Sequence, residues 1–205
     1  MADIEKPSLN KSETPKEMQS REEQERFKET EKFQKLCTDY HDRGSSDWNM
    51  RSYEKDAELY KRFLAIDFKK LPKDLVPVYL HRLAYVQAIA RLGKNEKIRA
   101  FAIKFMGISA DDLGGKFDLL YAKVKDSNEF KALKPNDFKE AQEALKSSLD
   151  ILAKIPSGGA WKAGAAEILK PDNVDDDVAA SRLKDGFILI QNNITKLAAA
   201  KARQQ

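Results

Sequence analysis

One stretch, Val76–Leu92, constrains the fold of this chain more than any other part of the sequence. It reads VPVYLHRLAYVQAIARL and is apolar except at His81, Arg82, Gln87 and Arg91. At 100° per residue these four positions do not share one face, so apolar side chains point in nearly every direction, which is typical of a helix inside a protein. The stretch is too short and too charged to span a membrane. We therefore expect a central helix with the other helices packed around it.

The composition favours helices along the whole chain. Of its 205 residues, 34% are charged, and only 9 are Gly and 7 are Pro. Ala, Leu, Lys and Glu are common, whereas the strand formers Val and Thr are scarce. We predict an all-α fold, an irregular multi-helix bundle in which short connections make most neighbouring helices antiparallel.

The expected organisation has three parts. Residues 1–16 are polar and cannot bury enough apolar surface to offset the entropy of ordering, so we expect a flexible, disordered arm. Residues 17–44 form a charged amphipathic helix, and residues 45–205 form the helical domain. The apolar stripe of the charged helix starts late, so its first half should be exposed or project from the body. That stripe is Phe33, Leu36, Cys37 and Tyr40.

Capping residues indicate where several helices begin and end. Asn95, Asn136 and Asp175 are suited to cap the helices that follow them. Gly93 is expected to end the central helix, because glycine is favoured just after a helix. Residues 127–135 are polar and are expected to form a loop.

The segment between residues 48 and 64 carries an aromatic stripe at helical spacing. Such a stripe is typical of a helix packed into a core, and a stacking platform for nucleic-acid bases is the alternative. The stripe consists of Trp48, Tyr53, Ala57, Tyr60 and Leu64.

The last helix has the clearest apolar pattern in the chain. Its apolar residues step by four and three, which is the spacing of a helix seam. The pattern lasts about two heptads, fewer than a free-standing coiled coil needs. Packing inside the domain and self-association both remain open, and we take the seam as a candidate interaction surface. Its residues are Leu183, Phe187, Ile190, Ile194 and Leu197.

A basic block lies in the middle of the chain. Residues 61–104 hold 11 basic and 3 acidic side chains, whereas residues 1–60 are net acidic. Clusters of this kind neutralise nucleic-acid phosphates. A solvated basic face, docked by the acidic segment 13–31, is the other interpretation. The candidate nucleic-acid contacts are Lys69, Lys70, Lys73, Lys94, Lys97, Arg99 and Lys104.

No motif in the sequence indicates catalysis, a metal or a cofactor. The glycine-rich segment 158–164 lacks the Gly-Lys-Ser/Thr order of a phosphate-binding loop. The acidic run from Asp172 lacks the glycine and glutamate positions of an EF-hand. His41 and His81 stand outside any paired metal motif, and His81 and Cys37 are expected to be buried core residues.

These observations favour a non-enzymatic structural or protein–protein interaction subunit, an assembly component or adaptor, that acts through helix–helix contacts. We expect a protein partner or self-association. A non-specific nucleic-acid-binding protein is the first alternative, and a helical enzyme without a sequence signature is the second. The polar start of the chain and its single cysteine favour a cytoplasmic or other intracellular setting.

Overall fold

The computed structural model describes residues 15–42, 53–105, 117–156 and 160–204. Within these ranges the chain forms nine α-helices and no strand, which confirms the predicted all-α fold. Two short 3-10 turns, Phe68–Lys70 and Pro171–Asn173, precede the third and the last helix. The helices are α1 (Pro15–His41), α2 (Tyr53–Leu64), α3 (Leu75–Lys94), α4 (Glu96–Phe105), α5 (Phe117–Val124), α6 (Asn128–Ala132), α7 (Pro135–Leu152), α8 (Ala160–Ile168) and α9 (Asp177–Ala202).

Helix α3 is the centre of the bundle, as the apolar stretch predicts. Fifteen of its 20 residues are buried. Helices α2 and α7 both pack along α3, and α9 packs on α7. In the part of the chain that the structure describes, no helix is long and apolar enough to cross a membrane.

Helix α1 has an exposed half and a buried half. Residues 15–24 are exposed at every position. The late apolar stripe is buried as predicted. It packs against α2 and the two 3-10 turns, and its rings contact Tyr79 and Tyr85 of α3. Residues 1–14 of the expected arm lie outside the described ranges, and α1 begins at Pro15.

The buried face of α2 lies one position away from the predicted stripe. Leu64, which the stripe places in the core, is 58% exposed. The preceding Phe63 is fully buried instead, and its ring lies 6.3 Å from that of Phe33 and 6.1 Å from that of Tyr79. This aromatic cluster sets which face of α2 turns inward. Trp48 lies outside the described residues, and the other members are half-buried: Tyr53, Ala57 and Tyr60.

Two of the three predicted helix caps are wrong. Asn95 does cap α4, because its Oδ1 accepts hydrogen bonds from the backbone N–H groups of Lys97 and Ile98. Helix α7 starts one residue before Asn136, and its first turn is closed by Asp137, which accepts from the Lys134 backbone N–H at 2.7 Å. Asp176, rather than Asp175, caps α9.

Gly93 lies inside α3 and does not end it. The helix continues to Lys94. A Cβ atom at position 93 would lie 1.9 Å from Cδ2 of Tyr53, so glycine is needed here for the close approach of that ring.

The expected loop at 127–135 contains the short helix α6. Ser127 caps it by accepting from the Phe130 backbone N–H at 3.1 Å. Phe130 is fully buried and holds this turn on the core. One anchored aromatic residue therefore orders a segment that its polar neighbours predicted to be irregular.

Candidate functional site

The most unusual polar group in the structure is the guanidinium of Arg82. It belongs to the central helix α3 and is 0% exposed. The end of α1 and the connector between α8 and α9 meet α3 at this point. We call the group the Arg82 cluster, and its members are Cys37, Tyr40, His41, His81, Arg82, Asn173 and Asp175.

Arg82 ties the three segments together. Its Nε donates to Asp175 Oδ2 at 2.7 Å, and its Nη2 donates to the backbone oxygen of Asn173. The same Nη2 lies 2.8 Å from His41 Nε2 at the end of α1. Its Nη1 has no hydrogen-bond partner within the described residues, but the face of the Tyr40 ring lies 5.0 Å from Cζ and attracts the cation.

Asp175 balances the buried charge. Its Oδ2 accepts from Arg82 and also lies 2.8 Å from His81 Nδ1. Burial alone would raise the pKa of Asp175, but the hydrogen bond from His81 and the charges of His81 and Arg82 outweigh it and hold this pKa well below its usual value. The carboxylate is therefore ionised wherever the protein is folded at ordinary pH.

Cys37 and His81 complete the cluster as buried residues, which confirms the prediction for both. Burial raises the pKa of the Cys37 thiol to about 12, although the charge of Arg82 acts in the opposite direction. The thiol is therefore protonated and unreactive in the closed structure. No group of three or more metal-ligating side chains occurs within the described ranges.

The sequence contains only a weak signal for this cluster. Arg82 interrupts an apolar helix, and a fully buried charge requires a partner. That partner, Asp175, lies 93 positions further along the chain and resembles a helix cap from sequence.

The basic block does not form one continuous surface. Three of its members precede α3 and the other four lie at or beyond its end, separated by a helix of about 30 Å. Lys70 pairs with Glu25 of α1 at 2.8 Å, and Lys104 pairs with Glu129 at 2.8 Å. Arg99 lies over the ring of Tyr53. Contact with nucleic acid therefore stays a prediction for this block. Its remaining members are exposed at Lys69, Lys73, Lys94 and Lys97.

The seam of α9 is occupied within the chain. Phe187, Ile194 and Leu197 are buried, and Leu183 and Ile190 pack against the same core. The neighbouring helix α7 covers α9. A role of these five residues in self-association stays a prediction.

The N-terminal half of α1 presents a different surface. Phe27 is 63% exposed, and Met18 is 44% exposed. Glu25 and Glu29 contact the turn before α3 through Lys70 and the Asp67 backbone N–H. Phe27 lies about 200° around the helix from Glu25, so it faces away from that turn.

No protein-family model matches the chain, and no curated protein or solved structure is significantly similar to it.

Proposed function

We propose that this protein is a non-enzymatic interaction subunit that binds a protein partner through helix–helix contacts. The exposed half of α1, residues 15–28, is the element that makes the contact, and Phe27 is its anchor. The observation that carries the proposal is the 63% exposure of Phe27 on a helix that turns its ring away from the body.

The physical state of this half of α1 supports the proposal. Residues 15–24 form about three turns of helix that are exposed at every position. Isolated helices of this length are marginal in water, and most helical stability in proteins comes from packing of an apolar face. A partner that covers Phe27 would supply that packing, in the way that helices enter apolar grooves through a few large side chains.

Two other surfaces suit this role less well. The α9 seam would have to leave its contacts with α7 and the core before it could meet another chain. The basic block is divided by α3, and two of its members already pair with carboxylates. We also place the subunit in an intracellular setting, because its single cysteine is a buried free thiol.

The test uses the full chain and two charge substitutions. Phe27→Glu places a charge on the proposed anchor, and Leu119→Glu makes the same change at a 49% exposed residue of α5. We expect wild type and Leu119→Glu to form the same complex, either an oligomer measured by light scattering or a complex with a protein from the source cells. Phe27→Glu should lose that complex and keep its helix content by circular dichroism. A complex that survives Phe27→Glu would contradict the proposal.

The same measurement distinguishes binding of a protein partner from the alternative, binding of nucleic acid. Short mixed-sequence DNA and RNA are added at low and at moderate salt. Binding through the basic block should weaken steeply as salt rises and should be unaffected by Phe27→Glu. A shift of wild type onto nucleic acid with no protein complex would favour that alternative.

A further inference from the structure

Two acidic side chains flank the exposed ring of Phe27. Glu23 lies one helical turn before it and Glu31 one turn after it, each about 40° around the helix from Phe27. Both are exposed, and within the described residues neither takes part in an ion pair. An apolar anchor with an acidic rim fits a receiving surface that is apolar at its centre and basic at its edge. We call Glu23, Phe27 and Glu31 the Phe27 face.

The end of α2 and the turn that follows it carry a surface of the opposite charge. Leu64 is 58% exposed and Phe68 is 42% exposed. The ring of Phe68 stacks on that of Tyr79, with the centroids 5.7 Å apart, and its outer side faces solvent. Lys69 and Lys73 are exposed beside them, and in the described part of the chain neither forms an ion pair. We call this surface the 64–73 patch, and its members are Leu64, Phe68, Lys69 and Lys73.

The acidic residues next to the 64–73 patch make contacts within the chain. Asp67 Oδ1 accepts from the backbone N–H of Lys69 at 3.3 Å, and its Oδ2 lies 3.8 Å from Lys70 Nζ. Asp74 lies against α8, since a Cβ atom at Gly164 would be 2.1 Å from its Oδ2. The 64–73 patch therefore presents a positive charge to solvent, which attracts carboxylates.

A single chain cannot bring the Phe27 face onto its own 64–73 patch. The other side of α1 already contacts this segment, because Glu29 accepts from the Asp67 backbone N–H and Lys32 donates to the Ala65 backbone oxygen, both at 2.7 Å. Glu29 and Lys32 lie about 140° to 160° around the helix from Phe27. The ring therefore points away from its own patch and can reach only that of another molecule.

Two Phe27 faces do not suit each other. A parallel pair of α1 helices would set Glu23 of one copy against Glu23 of the other. An antiparallel pair centred on Phe27 would set Glu23 against Glu31. Like charges oppose docking in both arrangements. The surface of this chain that matches the Phe27 face is therefore the 64–73 patch.

We propose that the partner is a second copy of this chain, and that its 64–73 patch receives the Phe27 face. Phe27 packs between Leu64 and the outer side of the Phe68 ring, while the two carboxylates of the face pair with the two lysines of the patch. The inference rests on the proposed role of Phe27 and adds the surface that receives it. Because charge contributes to the contact, association should be strongest at low salt.

Light scattering of the full chain over a dilution series tests the inference. At about 100 μM and low salt, the wild type should show a mass at least twice the 23.3 kDa of one chain, and this mass should fall as salt is added. Two double variants each reverse one surface. Glu23→Lys with Glu31→Lys makes the Phe27 face basic, and Lys69→Glu with Lys73→Glu makes the patch acidic. Each variant alone should stay a monomer, because its two surfaces then carry the same charge.

An equimolar mixture of the two double variants is the decisive measurement. The basic face of one matches the acidic patch of the other, and the remaining face and patch keep their original charges. We expect the mixture to regain the mass of the wild type, which a chain that had failed to fold could not do. Lys94→Glu with Lys97→Glu is the matched control. It makes the same change in net charge at two exposed lysines near the far end of α3, and it should associate as the wild type does.

Four results would overturn the inference. They are a wild type that is monomeric at about 100 μM in low salt, a double variant of either surface whose Kd stays within about threefold of the wild type, a mixture that stays monomeric, and a control that loses association. The proposed function is decided separately by Phe27→Glu. An oligomer or complex that survives this substitution contradicts the role of Phe27, whereas a monomeric wild type leaves the complex with a protein from the source cells as its test.

Discussion

The two halves of α1 are similar in composition, but one half is exposed and the other has a buried face. Both are dense in Glu and Lys, and both are helical. Phe33 in the second half is 0% exposed, whereas Phe27, six residues earlier, is 63% exposed. Charge and helix propensity therefore do not distinguish the halves. The distinction lies in the apolar stripe, which gives the second half a face to bury and leaves Phe27 on the opposite side.

The difference between the halves extends to their polar contacts. The second half ends at the Arg82 cluster, where a buried guanidinium joins it to α3 and to the connector before α9. The first half makes surface contacts such as that between Glu25 and Lys70. Buried charge pairs are strongly destabilising to break, while exposed pairs contribute little. One helix therefore combines an end fixed by buried contacts and an end that is exposed.

The largest expected effect comes from removing the guanidinium that fixes the buried end. Arg82→Met leaves Asp175 buried without its main partner, and it also removes the bonds to His41 and Asn173. We expect the free energy of unfolding to fall by about 5 kcal/mol, the upper part of the range for a broken buried pair. Urea denaturation followed by circular dichroism measures this change.

A double variant is the control for that experiment. Arg82→Met combined with Asp175→Leu removes both charges, and we expect it to recover most of the lost stability, because an apolar pair can replace a buried ion pair. If the double variant is no more stable than Arg82→Met, the charge balance is not what holds this end of α1.

A pair of alanine substitutions tests the comparison within α1 itself. Phe33→Ala removes a ring packed against Phe63 and Tyr79, and it should lower the free energy of unfolding by about 3 to 4 kcal/mol. Phe27→Ala removes a ring exposed to water and should change it by less than about 0.5 kcal/mol. The same denaturation measurement serves for both. Similar losses for the two variants would show that Phe27 packs against the domain.

The sequence predicts this fold well because its main signals are local and periodic. The central helix, the buried stripe of α1 and the burial of the α9 seam all follow from apolar spacing. The exposure of Phe27 could also be predicted from the sequence, since this residue lies off the apolar stripe that starts at Phe33. Periodicity was less reliable for α2, where the rings of Phe33 and Tyr79 decide which face is buried.

The Arg82 cluster could not be predicted, because its partners come from three distant segments. Asp175 and Asp176 both suit a helix N-terminus, and their sequence does not show that one caps α9 while the other neutralises a guanidinium. His41 shows no pattern until the end of α1 is placed over α3. Local rules thus describe the helices, and the long-range pairing of charges requires the tertiary structure.

The smallest expected effect concerns Glu25, a residue of the exposed half of α1 that contacts the turn before α3. Its carboxylate lies 2.8 Å from Lys70 Nζ, and the hydrogen bond and charge of Lys70 lower the pKa of Glu25. A lowered pKa means that the pair stabilises the fold above the ordinary pKa of glutamate and loses this contribution as pH falls below it. Both groups are exposed to water, which screens the pair. We therefore expect Glu25→Gln to leave the unfolding temperature almost unchanged at physiological salt and to lower it slightly at low salt.

Hydrogen exchange of the α1 amides provides the second measurement. The apolar stripe should keep exchange at residues 33–41 unchanged in Glu25→Gln. If exchange becomes faster there as well as at residues 15–24, the surface pair of Glu25 and Lys70, rather than the apolar stripe, would hold the second half of α1 in place.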